Sequence, residues 1–123
     1  MTIPQRHPTN PSTAFAMQPG MHLHIVGIGG AGMSAIARVL LGRGYVVSGS
    51  DQQDNAFTAA LSSEGATIYQ GHAAAHIDQA QVLVISSAIP ADNPELIAAQ
   101  QANLPILKRS DLLGLLMAGK TGE

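Results

Sequence analysis

The sequence predicts an α/β fold, a doubly wound sheet of about five parallel strands with helices on both faces. Three observations carry that expectation. Short apolar runs alternate with helix-periodic stretches from Met21 onward. A glycine-rich turn, Gly27-Ile28-Gly29-Gly30-Ala31-Gly32, stands at the first strand–helix junction. Val82-Leu83-Val84-Ile85 is continuously apolar, as a parallel strand covered on both faces requires.

The elements follow in order. His22 to Val26 reads as the first strand and ends in the glycine turn. Ala31 to Arg43 reads as a helix whose apolar face carries Met33, Ile36, Ala37, Leu40 and Leu41, with Gly42 and Gly44 as its stop. Tyr45 to Ser48 is a second strand, followed by a turn-like Gly49-Ser50-Asp51. A helix over Asn55 to Glu64 should bury Phe57, Ala60 and Leu61 and end at Gly65. Thr67 to Tyr69 is a third strand, and Gly71 to Ala80 a loop with a short helical turn. After the Val82–Ile85 strand, Pro94 opens a helix through Gln101. Pro105 to Leu107 is a fifth strand, and Ser110 caps a last helix running through about Met117. This arrangement divides the chain into a flexible extension, residues 1–20, a folded domain, residues 21–118, and a short linker, residues 119–123.

Bulk properties exclude several classes. The 123 residues suit one domain, and 46% hydrophobic against 11% charged residues allow a substantial core. A formal charge of −2, six Lys and Arg in all and 3% aromatics supply neither the cationic stripe nor the stacking surface of a nucleic-acid binder. Without cysteine there are no disulfides or thiolate metal sites, which fits a cytoplasmic protein. No apolar run approaches the ~20 residues that span a bilayer, so no membrane insertion is expected. Five histidines without clustered carboxylates make no metal site; His22 and His24, inside the first strand, read as structural.

The glycine turn carries the chemistry. It follows a strand, opens a helix and has an acid, Asp51, about 20 residues later, the Rossmann-like dinucleotide fingerprint. Gly27 permits the tight turn, Gly29 lets a pyrophosphate approach the backbone, and Gly32 lets the helix pack closely on the sheet. Helix N-terminal N–H groups and the helix dipole then hold a diphosphate, each bond to a charged group contributing roughly 1.5–3 kcal/mol. Ser34 offers a hydroxyl to a phosphate or to its own helical turn. Asp51 suits a ribose cis-diol. His72, and Ser86 with Ser87 at the end of the apolar strand, fall on the same sheet edge, where ligands bind at the reversal of strand order. An NAD(H)-binding domain of a dehydrogenase or a nucleotide-sensing regulator satisfies this pattern; a pure interaction module leaves the turn without a purpose. Gly114 to Thr121 spells G-x-x-x-x-G-K-[ST], but Gly114 lies within a helical run and no strand leads into it, so a phosphate loop is not expected there.

The strings His24-Ile25-Val26-Gly27-Ile28-Gly29-Gly30-Ala31-Gly32-Met33-Ser34 and Val47-Ser48-Gly49-Ser50-Asp51 closely resemble the N-terminal domain of a Mur ligase of bacterial peptidoglycan synthesis, in the branch that adds L-alanine. Gly71-His72, Val84 to Ile89 and Arg109 to Leu113 extend the resemblance over about Met21 to Met117. It implies an ATP-dependent, amide-forming enzyme that activates the carboxylate of UDP-N-acetylmuramate as an acyl phosphate for attack by L-alanine. Its first domain would hold the UDP part, with the diphosphate on Gly27, Gly29, Gly30, Ala31, Gly32, Met33 and Ser34. Ser50, Asp51, His72, Ser86 and Ser87 would lie near uridine or sugar. The family's Gly-Thr-His-Gly-Lys-Thr loop for ATP does not occur in this sequence. The resemblance therefore implies a fragment that binds and does not catalyse, with no catalytic residue, metal or cofactor of its own. ATP and Mg2+ would belong to the full-length enzyme and its central domain.

Overall fold

The computed structural model describes residues 17–121, with side chains through residue 117. The expected extension lies outside the described residues up to residue 16, as do residues 122–123 of the linker. Within residues 17–20, Met17 packs against the core and the Gly20 N–H donates to the Gly44 carbonyl at 2.9 Å.

Five strands, β1 (His22–Val26), β2 (Val46–Asp51), β3 (Thr67–Gln70), β4 (Val82–Ile85) and β5 (Ile106–Lys108), pair in parallel in the order β3-β2-β1-β4-β5. The order reverses between β1 and β4, which opens a crevice beyond their C-terminal ends. Among the described residues three helices, α1 (Ala31–Gly42), α2 (Ala56–Ser63) and α3 (Pro94–Gln101), and a 3-10 turn at Ala74–Ile77 between β3 and β4 connect the strands, and α4 (Arg109–Thr121) follows β5.

Period-two alternation divides the strands between two unlike faces. Leu23, Ile25, Val47, Val82, Val84 and Leu107 meet Met33, Ile36, Ala37 and Leu40 of α1, Leu61 of α2, and Leu112 and Leu116 of α4 in the larger core. On the opposite face Val26 and Leu83 pack with Ile77, Leu96 and Ala99 in a smaller cluster under α3. That second core stops short of β2, where the side chains on the same face are Ser48 and Ser50.

Several local expectations are corrected. Gly49-Ser50-Asp51 is not a turn: β2 continues through Asp51, paired to β1 through Val26↔Ser50 and to β3 through Asp51↔Gln70. Ladder hydrogen bonds to two neighbours override the local turn propensity of Gly, Ser and Asp. Phe57 is 47% exposed, whereas Thr58 and Leu61 are buried. Asn55 caps α2 by accepting from the Thr58 N–H at 3.0 Å while the Thr58 hydroxyl accepts from the Asn55 N–H at 2.8 Å. That reciprocal box orients the first turn and puts Thr58 inward. Ser110 is not the cap of α4, which already includes Arg109; Asp111 instead reaches back to accept from the Lys108 N–H at 3.0 Å. The helix continues past Met117 to Thr121, so the Gly114–Thr121 string is helical throughout and cannot wrap a phosphate.

Gly49 explains how the glycine turn is anchored. A Cβ there would stand 2.5 Å from Ile28 Cδ1 and 2.8 Å from the Ile25 carbonyl oxygen. Ile28, fully buried, thus seats its side chain on the bare backbone of β2. Gly49→Ala should overpack this contact and lower stability by about 1–3 kcal/mol. A chemical-denaturation midpoint unchanged from the parent would show that Ile28 re-seats without cost.

Candidate functional site

The glycine turn is tied to β2 by two bonds to one acceptor: Gly27 N–H and Ile28 N–H both donate to the Ser50 carbonyl, at 2.8 and 3.1 Å. Gly27 takes φ +78°, a conformation glycine adopts without a steric penalty. Gly30 N–H closes back on the Gly27 carbonyl at 3.1 Å, and Gly29 N–H donates to Asp51 Oδ2 at 2.8 Å. Four N–H groups of the turn are therefore engaged. The first turn of α1 is different. Its N-cap is Gly30, with no side chain to cap it, and the N–H groups of Ala31, Gly32 and Met33 have no acceptor among the described residues. Three free donors and the positive end of the helix dipole point to an anion seat. Ser34 does not join them: its N–H donates to Gly30 and its buried hydroxyl to the Ala31 carbonyl at 3.0 Å.

The surrounding residues close on this seat from β2, β4 and β5. Asp51 bonds the turn through Gly29 and also accepts from the Gln52 N–H at 2.8 Å. Asn55 Nδ2 donates to the Gly29 carbonyl at 3.0 Å, so the α2 cap holds the same peptide from the other side. Gly29, Gly30, Asp51, Gln52, Gln53 and Asn55 line a cleft of about 440 Å³. Ser86 and Ser87 follow β4 in a turn closed by Ile89 N–H on the Ser86 carbonyl at 3.2 Å. The Ser86 hydroxyl accepts from Ala88 N–H at 3.3 Å within that turn, and Ser87 is exposed. Ile89 Cδ1 lies 3.8 Å from the position a Cβ on Gly27 would take, which brings this turn alongside the glycine loop.

Two of the glycines stand directly against side chains. A Cβ on Gly29 would fall 2.8 Å from Asp51 Oδ2, so its bareness accommodates that carboxylate in this state. The three atoms nearest to a Cβ on Gly32 would all belong to the Arg109 guanidinium, with Nε at 2.9 Å. Arg109, exposed and with neither hydrogen bond nor ion pair among the described residues, lies against the first turn of α1. Sequence reasoning passed over it because its position in the chain, 77 residues after Gly32, gives no sign of that proximity.

His72 lies apart from the anion seat, in a buried polar network centred on Glu95. Glu95 is fully buried in the first turn of α3, behind the Asn93 cap, which accepts from Glu95 N–H at 2.9 Å. Its Oε1 accepts from His24 Nε2 at 2.9 Å and from the Ser50 hydroxyl at 2.6 Å. Its Oε2 accepts from His76 Nδ1 at 2.6 Å and from Ala73 N–H at 3.1 Å. Ser50 Oγ also lies 2.8 Å from His72 Nδ1, and Ser48 Oγ bridges His24 Nδ1 and His22 Nε2 at 2.7 and 2.8 Å. Tyr69 stacks on His76 with ring centroids 4.1 Å apart. Although three imidazoles surround a carboxylate, no group of three or more His, Cys, Asp or Glu among the described residues has the geometry to hold a metal ion.

Burial is the largest influence on the Glu95 carboxyl and opposes its ionisation, but the hydrogen bonds from His24, Ser50 and His76 outweigh it and hold the pKa at about 2. Burial likewise pushes His22 below its ordinary value, against the backbone of Gln79. Both depressed groups contribute stability that is complete above their unfolded pKa values and is lost on acidification. For His22 the loss begins below about pH 6.5; for Glu95 it falls between about pH 4.5 and 2 and amounts to roughly 3 kcal/mol. Urea unfolding measured across that range should show a steep acid limb. Glu95→Gln should flatten the part below pH 4.5, and an unaltered slope would remove Glu95 from the account.

The family described as "Mur ligase family, catalytic domain" matches residues 22–121. The UDP-N-acetylmuramate–L-alanine ligase of Methylobacillus flagellatus is 54% identical over 101 residues, covering 82% of this chain and 21% of that protein. The chain thus spans about a fifth of that relative's length. The crystal structure of the UDP-N-acetylmuramate–alanine ligase of Thermotoga maritima superposes with a TM-score of 0.73 at 34% identity, over 76% of this chain and 22% of that one. NmrA, a negative transcriptional regulator in complex with NADP, shares the fold alone, with a TM-score of 0.62 at 17% identity over 74% of this chain and 33% of that one. Among the described residues no helix is long and apolar enough to cross a membrane.

Proposed function

The chain belongs to the Mur ligase family, and we propose that it is the part of a UDP-N-acetylmuramate–L-alanine ligase that holds the UDP moiety of UDP-N-acetylmuramate. The observation that carries this reading is the set of free N–H groups on Ala31, Gly32 and Met33 at the crevice where strand order reverses. They take the diphosphate, and Arg109 beside Gly32 adds a charge-assisted contact. Gly27, Gly29 and Gly30 shape the turn and Ser34 closes the first helical turn. Asp51, His72, Ser86 and Ser87 surround the uridine or sugar side, whereas Ser50, fully buried with its hydroxyl on Glu95 and its carbonyl on Gly27 and Ile28, acts behind them and not on the ligand.

In this reading the ligation itself, with ATP, Mg2+ and L-alanine, needs the full-length enzyme, which is placed in the cytoplasm; the present residues bind and orient the nucleotide substrate. The only phosphate-loop string is taken up in α4, which supports assigning ATP elsewhere. The NAD(H) alternative is not favoured, because the dinucleotide-binding neighbour shares only the fold.

Titration calorimetry with UDP-N-acetylmuramate and, separately, NADH tests the assignment. Binding of the UDP-sugar without NADH is expected, and the opposite result would reject it. Arg109→Ala should weaken UDP-sugar binding roughly 10- to 150-fold, the loss of one charge-assisted hydrogen bond. Gly32→Ala, which displaces that guanidinium, should act in the same direction while the circular dichroism spectrum stays unchanged. Parent affinity in both variants would place the diphosphate away from α1.

A further inference from the structure

The buried network has a property beyond stability: it dictates where protons sit. Glu95 as a carboxylate accepts four hydrogen bonds and donates none. The single hydroxyl proton of Ser50 is committed to Glu95 Oε1 at 2.6 Å. Ser50 Oγ can meet His72 Nδ1, 2.8 Å away, only as an acceptor, so the proton of that contact belongs to His72 Nδ1. In the neutral ring Nε2 is then left with a lone pair, and it has no partner among the described residues.

We propose that Glu95, acting through Ser50, locks His72 in the Nδ1–H tautomer, so that Nε2 stands as a fixed acceptor for a hydroxyl or imide N–H of the bound nucleotide. This use of His72 rests on the UDP-binding reading above; the lock itself does not. His72 follows β3 at the ligand edge and keeps 15% of its side chain exposed, so the ring bridges the sealed network and the surface. The groups facing it are Glu95 from α3, whose Oε2 is 3.8 Å from its Nδ1, and His76 and His24 across that carboxylate. Asp51, next to Ser50 on β2, is turned to Gly29. Ser50 also receives Gly27 and Ile28 N–H on its carbonyl, so one residue sets both the glycine turn and the proton on His72. Glu95 is thus a positioning residue, acting on the ligand through two intermediates.

Long-range proton–nitrogen correlation spectra of the 15N-labelled chain at pH 8 test the lock without any ligand. His72 should show a single Nδ1–H tautomer; an Nε2–H ring in the parent chain would overturn the proposal. Ser50→Ala removes the acceptor and should release the ring to the Nε2–H form or a mixture, whereas Ser50→Thr, which retains the hydroxyl, should preserve Nδ1–H. An unchanged tautomer in a folded Ser50→Ala chain would also refute the lock. Addition of UDP should then shift the Nε2 resonance of the parent, while inorganic pyrophosphate should leave it in place; equal responses to the two would refute the acceptor role. If the tautomer is locked but neither UDP nor UDP-N-acetylmuramate binds, the failure lies with the nucleotide reading and the lock stands.

Discussion

A carboxylate sealed from water must have its lone pairs answered by donors or it will not stay ionised. At Glu95 that requirement organises one face of the sheet. Four donors converge on it from β1, β2, the 3-10 turn and the segment after β3, the first two through fully buried hydrogen bonds. The network fills the space over β2 where the smaller apolar cluster ends, so hydrogen bonds replace hydrocarbon packing between α3 and the sheet. The N-terminal turn of α3 favours the negative charge further, through its dipole.

Ser50 connects this interior to the glycine turn. Its backbone carbonyl fixes the glycine turn and its hydroxyl belongs to the Glu95 network. Ile28 adds a mechanical lock by lying across Gly49, the neighbouring residue. The turn is consequently held in place by main-chain and side-chain contacts before any ligand arrives, and the donors left over are confined to Ala31, Gly32 and Met33. Preformed seats of this kind avoid the ordering cost of a loop that closes on its ligand.

The fold was largely legible in the sequence because alternating apolar runs and the glycine fingerprint report on local periodicity and local turns. All five strands and four helices stand where those signals put them, within a few residues. Where the reading failed, a contact from elsewhere in the chain had overruled a local preference. Ser50 and Asp51 look like turn residues until two neighbouring strands pair with them, and Phe57 looks buried until the Asn55–Thr58 box sets the rotation of α2. The candidate site was readable only in part for the same reason. Gly27 to Gly32 form one contiguous string, but Arg109 and Glu95 reach their positions through tertiary packing. Nothing in Asn93-Pro94-Glu95 beyond a helix start announces that its acid ends fully buried among three histidines.

The unlike faces of the sheet make the molecule answer to two independent solution variables. The α1–α2–α4 side is held by apolar burial, whose contribution carries a large heat capacity and fades on cooling. The α3 side joins a smaller apolar cluster to a charge and its hydrogen bonds, whose contribution follows proton activity. Acidity therefore acts on one side of the five-stranded sheet, and the loss of apolar burial on cooling acts most on the other.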